Sequence, residues 1–352
     1  MKKVFDSKLQ GSPRLLPHEW FSTLAEYTKD KNIDYDFYGN GSVIEDFEIK
    51  LAKILGTESA VFMPSGTMAQ QIALKLCSKS NHKIGFHPLS HLEIHEKMAY
   101  KELHNLEAVL LGKQNNYLSL DQIKATKEKL SCILYELPQR EIGGVLPPWD
   151  ELVSISKYCR EKNIHLHMDG ARLWEVGPYY NKSYKEISAL FDSVYVSFYK
   201  GLNGIAGAIL AGKAQLISES KVWLRRHGGN LIHLYPYVIS SDFALTKNLE
   251  KMSLYFEKTK EIAKVLNSAN LLETFPLVPQ SNMVHVLFKE EKEIVNKKLK
   301  DIQEEYKTFL FHNPSNNEYL DSNFKSKAEL HIGDYSLEYP IDLLKSILTK
   351  YF

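Results

Sequence analysis

The sequence predicts an α/β protein built on a three-layer, mostly parallel sheet, followed by a smaller α+β unit at the C-terminus. Three observations carry the prediction. Between Ala60 and Gly212, short apolar runs alternate with helical patterns at βαβ spacing, which favours a parallel sheet covered by helices. Within that stretch, one run ends on an acid, Asp169, and another runs into a lysine, Lys200, and the carboxyl ends of parallel strands are where such sheets bind ligands. From about Leu245 the rhythm changes to Lys- and Glu-rich helices with strands near Met283 to Phe288 and Ala328 to Ile332. The expected division is residues 1–45 as an N-terminal arm and helix, 46–244 as the large domain, and 245–352 as the small domain.

Taken in order, the arm is rich in turn formers, Gly11-Ser12-Pro13, Pro17 and Tyr38-Gly39-Asn40-Gly41, around an amphipathic helix from His18 to Lys29. A helix from Ser42 carries Val43, Phe47, Leu51 and Ile54 at helical spacing and stops at Gly56. Ala60 to Met63 reads as a strand, Pro64-Ser65-Gly66-Thr67 as a turn and Met68 to Cys77 as a helix. Strands follow at Lys83 to Phe86, Ala108 to Leu111, Ser131 to Tyr135 and Ile164 to Asp169. Helices are expected from Ser90, from Ser119 to Leu130, from Pro148 to Lys162 and around Tyr184 to Phe191. Val194 to Phe198 and Ile205 to Ala211 close the sheet, and Lys213 to Arg226 is helical until Gly228-Gly229-Asn230 breaks it.

Composition narrows the class. At 352 residues, 44% hydrophobic and with 13 prolines, the chain can bury a large core. Its 44 basic and 43 acidic residues nearly cancel, so no overall charge draws it to nucleic acid or a membrane surface, and a small-molecule partner is expected. Cys77, Cys132 and Cys159 lack CxxC spacing and read as reduced structural thiols. The start, Met1-Lys2-Lys3-Val4, is followed by no apolar signal-like run, and no run is long enough to span a bilayer, so a cytoplasmic protein is expected.

Lys200 lies between Tyr199 and Gly201 in a turn flanked by buried-strand patterns. Alone it also reads as a solvated turn lysine. Gly201, Gly204 and Gly207 let the backbone approach something bulky, and desolvation beside it would lower the lysine pKa so that the neutral amine is a nucleophile, suited to an imine. Asp169 lies upstream by a helix and a strand, on the same sheet edge. Pyridoxal 5'-phosphate needs such a pair, a lysine for its aldehyde and an acid against its ring nitrogen. Ser65, Gly66 and Thr67 would offer N–H groups and hydroxyls to a phosphate at a helix start, though the run also reads as an ordinary N-cap.

His91 is placed to lay its ring on a planar cofactor, with Glu96 nearby to orient a partner. His91 and His95 do not form a recognised metal motif, and no metal is expected. Arg172 suits a bidentate carboxylate contact or a structural ion pair, and Ser197 could add a hydroxyl to the phosphate cup. His165 and His167 share a strand face and read as structural histidines, and Arg225-Arg226-His227 also reads as a solvated helix end.

With these residues together, the sequence resembles the threonine aldolases and, more broadly, the β-eliminating lyases of fold type I, the aspartate-aminotransferase-like pyridoxal-phosphate enzymes. The resemblance rests on Tyr38-Gly39-Asn40, Phe62-Met63-Pro64-Ser65-Gly66-Thr67, His91 with Glu96, His167-Met168-Asp169-Gly170-Ala171-Arg172 and Lys200-Gly201-Leu202. It implies that Lys200 carries the cofactor, that Asp169 pairs with the ring nitrogen, that Ser65, Gly66 and Thr67 hold the phosphate, and that His91 stacks on the ring. Arg172 would take the substrate carboxylate, while Tyr38 and the Arg225-Arg226 segment would reach a neighbouring subunit's site in a homodimer or homotetramer. Two departures stand out. After the strand acid Glu136 the family has an Asn-Thr-His run, whereas this chain has Leu137-Pro138-Gln139-Arg140. The family also places a second carboxylate-binding arginine in the small domain, whereas this chain has no arginine after Arg226 and offers Glu329 in Ala328-Glu329-Leu330-His331. Arg140, on the sheet edge of Asp169, is the favoured substitute, with Arg14 the other. The expected reaction is cleavage of a β-hydroxy amino acid to glycine and an aldehyde. The alternatives are β-elimination on another amino acid, or a non-catalytic protein of the same fold.

Overall fold

The computed structural model describes residues 5–79 and 81–352. The lysine-bearing start at 1–4, read above for a targeting signal, lies outside the described residues. Among the described residues thirteen strands follow in chain order: β1 Ser7–Lys8, β2 Ser59–Met63, β3 Lys83–Phe86, β4 Glu107–Leu110, β5 Cys132–Glu136, β6 His165–Gly170, β7 Ser193–Ser197, β8 Ala208–Gly212, β9 Leu272–Phe275, β10 Met283–Phe288, β11 Thr308–Phe309, β12 Ser315–Asn316 and β13 Ser326–His331.

Seven of them form the large sheet in the order β2-β8-β7-β6-β5-β3-β4. All neighbouring pairs from β7 across to β4 are parallel, and β8 alone runs against its neighbours β7 and β2. The expected mostly parallel α/β sheet is thus present. Strands β5, β7 and β8 are buried at every residue, as strands covered on both faces must be. Their alternation divides the two cores. Val61, Met63, Tyr195 and Leu210 pack with Ile72 and Leu76 of the helix Gly66–Cys77 and Ile217 of the helix Ala214–Arg226. Phe62, Val194, Val196 and Ile209 face the other way, onto Phe47 and Leu51 of the helix Ser42–Leu55, Ile155 of Trp149–Glu161 and Ile262 of Met252–Leu266. Helix, sheet and helix make the three layers.

A second, antiparallel sheet runs β12-β13-β10-β9. In β13 burial alternates strictly: Ser326, Ala328 and Leu330 are buried, while Lys327, Glu329 and His331 are partly open on the opposite face. The N-terminal β1 pairs in parallel with β11 as a separate two-stranded sheet.

Several expected boundaries shift. The helix expected from Ser119 to Leu130 spans only Leu120–Ala125, because β-branched Thr126 adopts an extended backbone and Glu128 turns to Lys83 in an ion pair. The segment Ile205 to Gly207 is loop rather than strand. Gly207 has φ of +109°, and a Cβ there would lie 2.6 Å from both Phe62 and the Ser241 hydroxyl. The helix Tyr235–Asn248 runs through the expected change of rhythm near Leu245. Among the described residues, no helix is long and apolar enough to cross a membrane, and Cys77, Cys132 and Cys159 are free thiols.

Candidate active site

The site lies where the carboxyl ends of the parallel strands meet the loops that follow them. Asp169 and Glu136 are register partners near the ends of β6 and β5, both buried. Asp169 Oδ1 accepts the Ala171 N–H at 3.1 Å. Burial raises its carboxyl to about 6, opposed by that hydrogen bond and by the charges of His91 and Lys200. Lys200 is half-buried in the connection between β7 and the reversed β8. Burial, then the Arg172 and Arg140 charges, lower its ammonium from the ordinary lysine value, while Asp169 and Glu329 oppose the shift. Lys200 and Asp169 therefore come together as the sequence predicts.

A Cβ on Gly201 would lie 2.5 Å from Glu175 Oε1, so the close approach is to the protein's own buried carboxylate.

Ser65 caps the helix Gly66–Cys77, its Oγ accepting Met68 N–H at 3.2 Å. The first N–H groups of a helix have no intrahelical acceptor; here Ser65 Oγ takes that of Met68 and Tyr199 Oη that of Gly66, at the positive end of the helix dipole. Gly66 is required by space: a Cβ there would lie 1.9 Å from Tyr195 Oη and 2.8 Å from Tyr199 Oη. The two phenols are 3.3 Å apart. Sequence reading missed this pair, although Tyr195, Ser197 and Tyr199 share the period of one strand face. The Ser197 hydroxyl donates to Ala171 O at 2.8 Å, so its proton is already engaged.

His91 begins a short helix, His91–Ile94. Its N–H donates to Glu136 Oε2 at 3.0 Å and its Nδ1 lies 3.3 Å from Glu96 Oε1, while Gln71 Nε2 donates to Glu96 Oε2 at 3.0 Å. The Glu96 contact raises the His91 pKa, with burial opposing and Asp169 and Glu136 adding to the rise. Glu136 also accepts Arg140 N–H at 3.1 Å and Gln139 Nε2 at 3.2 Å, so it organises the loop that replaces the expected Asn-Thr-His run. A histidine not anticipated for the site is present: the His95 ring lies 4.9 Å from that of His91, and its Nε2 is 2.8 Å from Glu141 Oε1.

The two arginines differ. Arg172 Nε is buried with no hydrogen-bond partner, 4.0 Å from Glu175 Oε1. Arg140 is engaged: Nε donates to Glu329 Oε2 at 2.8 Å and Nη1 to Glu141 Oε1 at 3.0 Å. Arg14 is exposed in the segment ahead of the helix Pro17–Thr28. Tyr38, at φ of +50°, is partly exposed, with the Arg225 guanidinium 5.0 Å from its ring centre.

This set fits pyridoxal phosphate on its own geometry. A desolvated lysine, a buried acid, a helix N-terminus capped by Ser65 and a guanidinium whose Nε makes no hydrogen bond would suit an aldehyde, a ring nitrogen, a phosphate and a carboxylate in turn.

Comparison with known proteins agrees with the layout. The family described as beta-eliminating lyase matches residues 24–289. A Schizosaccharomyces pombe protein, provisionally named a low-specificity L-threonine aldolase, is 31% identical over 262 residues, covering 67% of this chain and 64% of its own length. The chain thus spans just under two thirds of that curated relative. A solved structure from Listeria monocytogenes EGD-E, provisionally named an L-allo-threonine aldolase, is 47% identical with a TM-score of 0.93, covering 99% of this chain and 97% of its own. Another from Exiguobacterium sp. 255-15, provisionally named an aromatic amino acid beta-eliminating lyase/threonine aldolase, is 42% identical with a TM-score of 0.92, at 99% and 97% coverage.

Proposed function

The chain belongs to the beta-eliminating lyase family, and from that premise we propose that it is a pyridoxal-phosphate-dependent lyase of threonine-aldolase type, cleaving a β-hydroxy amino acid to glycine and an aldehyde. One observation carries the reading: the half-buried Lys200, its pKa lowered by burial, shares the sheet edge with the buried Asp169. When bound, the cofactor supplies an aldehyde that links to amines and a protonated ring that takes up electrons from a breaking Cα–Cβ bond.

The protein groups would act as follows. Lys200 supplies a neutral amine to hold the cofactor and to exchange with the substrate amine. Asp169 keeps a proton on the ring nitrogen, since a buried carboxylate gains most from a cationic partner. Ser65, Gly66 and Thr67 take the phosphate at the helix start. Ser197 would join them only by releasing Ala171 O. His91, fixed by Glu136 and Glu96, stacks on the ring. Arg172 takes the substrate carboxylate, with Arg140 as the second cation. To His95 we assign the proton of the substrate hydroxyl, with Glu141 beside its Nε2 to stabilise the charge.

We also assign residues 1–45, 46–244 and 245–352 to an arm, a large and a small domain. The protein is proposed to work in the cytoplasm as a homodimer or homotetramer, with Tyr38 and Arg225 at the neighbouring subunit's site. Tyr35, Phe37 and Tyr38 on the exposed arm support such a contact. Product analysis separates the two lyase chemistries. Glycine with an aldehyde supports the aldol reading; a 2-oxo acid with ammonia would replace it with β-elimination.

A further inference from the structure

Strand β13 carries three partly open side chains, Lys327, Glu329 and His331, on the face opposite its buried residues. Two of them reach the segments that follow β5 and β6 of the large sheet. His331 Nε2 lies 3.2 Å from Glu175 Oε1, and Glu329 Oε2 accepts Arg140 Nε at 2.8 Å. The acid in this group is unusual for a carboxylate-binding site. Burial disfavours the charge of Glu329, yet Arg140, Arg172, His285 and His331 together hold its carboxyl below the ordinary glutamate value. Glu329 thus sits, charged, among the cations assigned above to an amino-acid substrate.

A permanent ion pair would leave Arg140 unable to serve a ligand. Two features argue for exchange instead. The pair is monodentate through Nε, and Glu141 takes only Nη1, so Glu329 leaves the rest of the guanidinium fork to another acceptor. Both partners also keep roughly a third of their side-chain surface open, at 29% for Arg140 and 32% for Glu329, so water can take up the released carboxylate cheaply.

We propose that Glu329 is a built-in competitor for the substrate carboxylate: it occupies Arg140 in the ligand-free protein, and an amino acid engages Arg140 by displacing it. The inference rests on the lyase reading and adds a specificity device to it. Ligands without a carboxylate gain nothing from the exchange, and those with one must offer Arg140 a better partner than Glu329.

The test is calorimetric titration of the cofactor-loaded protein with glycine and with glycinamide. Glu329→Gln keeps the shape and removes the charge. It should tighten glycine by up to roughly tenfold, the scale of one partly screened charged hydrogen bond, and leave glycinamide unchanged or weaker. In an Arg140→Ala background the same substitution should give no gain for glycine. Glu329→Asp, which keeps the charge but shortens the reach, should fall between wild type and Glu329→Gln, and serves if the Gln variant fails to fold. Unchanged or weaker glycine binding in Glu329→Gln, or an equal gain without Arg140, would overturn the proposal alone. A wild-type protein that takes up neither pyridoxal phosphate nor glycine would overturn the lyase reading and this proposal with it.

Discussion

Glu136 and Asp169 stand side by side as register partners on adjacent parallel strands, two buried carboxyls at one sheet edge. Burial, with the Asp169 charge adding to it, raises the Glu136 carboxyl from 4.5 to about 7. A carboxyl whose folded pKa lies above its unfolded value binds more protons in the native state. Its contribution is therefore fully present below pH 4.5 and is lost as pH rises through about 7. The ligand-free protein should melt at falling temperature across that window, and Glu136→Gln should flatten the fall by a few degrees, at about 2–4 °C per kcal/mol. Thermal unfolding followed from pH 4.5 to 7.5 checks this; an unchanged slope in the variant would remove Glu136 as the source.

Gly66 is the tightest point of the helix start to which the cofactor phosphate is assigned above. Gly66→Ala would drive a methyl group into Tyr195 Oη, and overpacking of this kind costs about 1–3 kcal/mol. If the helix start shifts to relieve it, the cofactor dissociation constant should rise about 5- to 150-fold. Fluorescence titration with pyridoxal phosphate measures it, and parental affinity would show that the phosphate lies elsewhere.

Arg172 Nε is buried and makes no hydrogen bond, and the side chain keeps 13% of its surface open, so its planar fork is available to a carboxylate. A point-charge ammonium cannot reproduce that geometry. Losing one charge-assisted hydrogen bond costs about 1.5–3 kcal/mol, so Arg172→Lys should raise KM roughly 10- to 150-fold. Steady-state kinetics on a β-hydroxy amino acid decide the matter, and an unchanged KM would return Arg172 to a structural ion pair with Glu175.

The legible parts of this protein are those written in local pattern. Buried strands such as β5 and β7 are continuous apolar runs, and Asp169 and Lys200 are polar residues where such runs end. Charged residues at 127–129 fit helical spacing in the sequence, yet the helix after Ser119 ends at Ala125, where Thr126 turns extended. The partners that finish the site were not legible. Gln71 reaches Glu96, His331 reaches Glu175 and Glu329 reaches Arg140 across long sequence separations, and no single segment records those meetings. His95 was visible as a neighbour of His91, but its link to Glu141 depends on a loop fold that Glu136 organises.

Lys200 is proposed above as the residue that carries the cofactor. Incubating the protein with pyridoxal phosphate, reducing with borohydride and mapping the modified peptide by mass spectrometry tests that assignment. One labelled site, Lys200, is expected, with label, visible absorbance and turnover all lost in a folded Lys200→Ala variant. Label on another lysine, or a Lys200→Ala protein that keeps near-parental turnover, would contradict it.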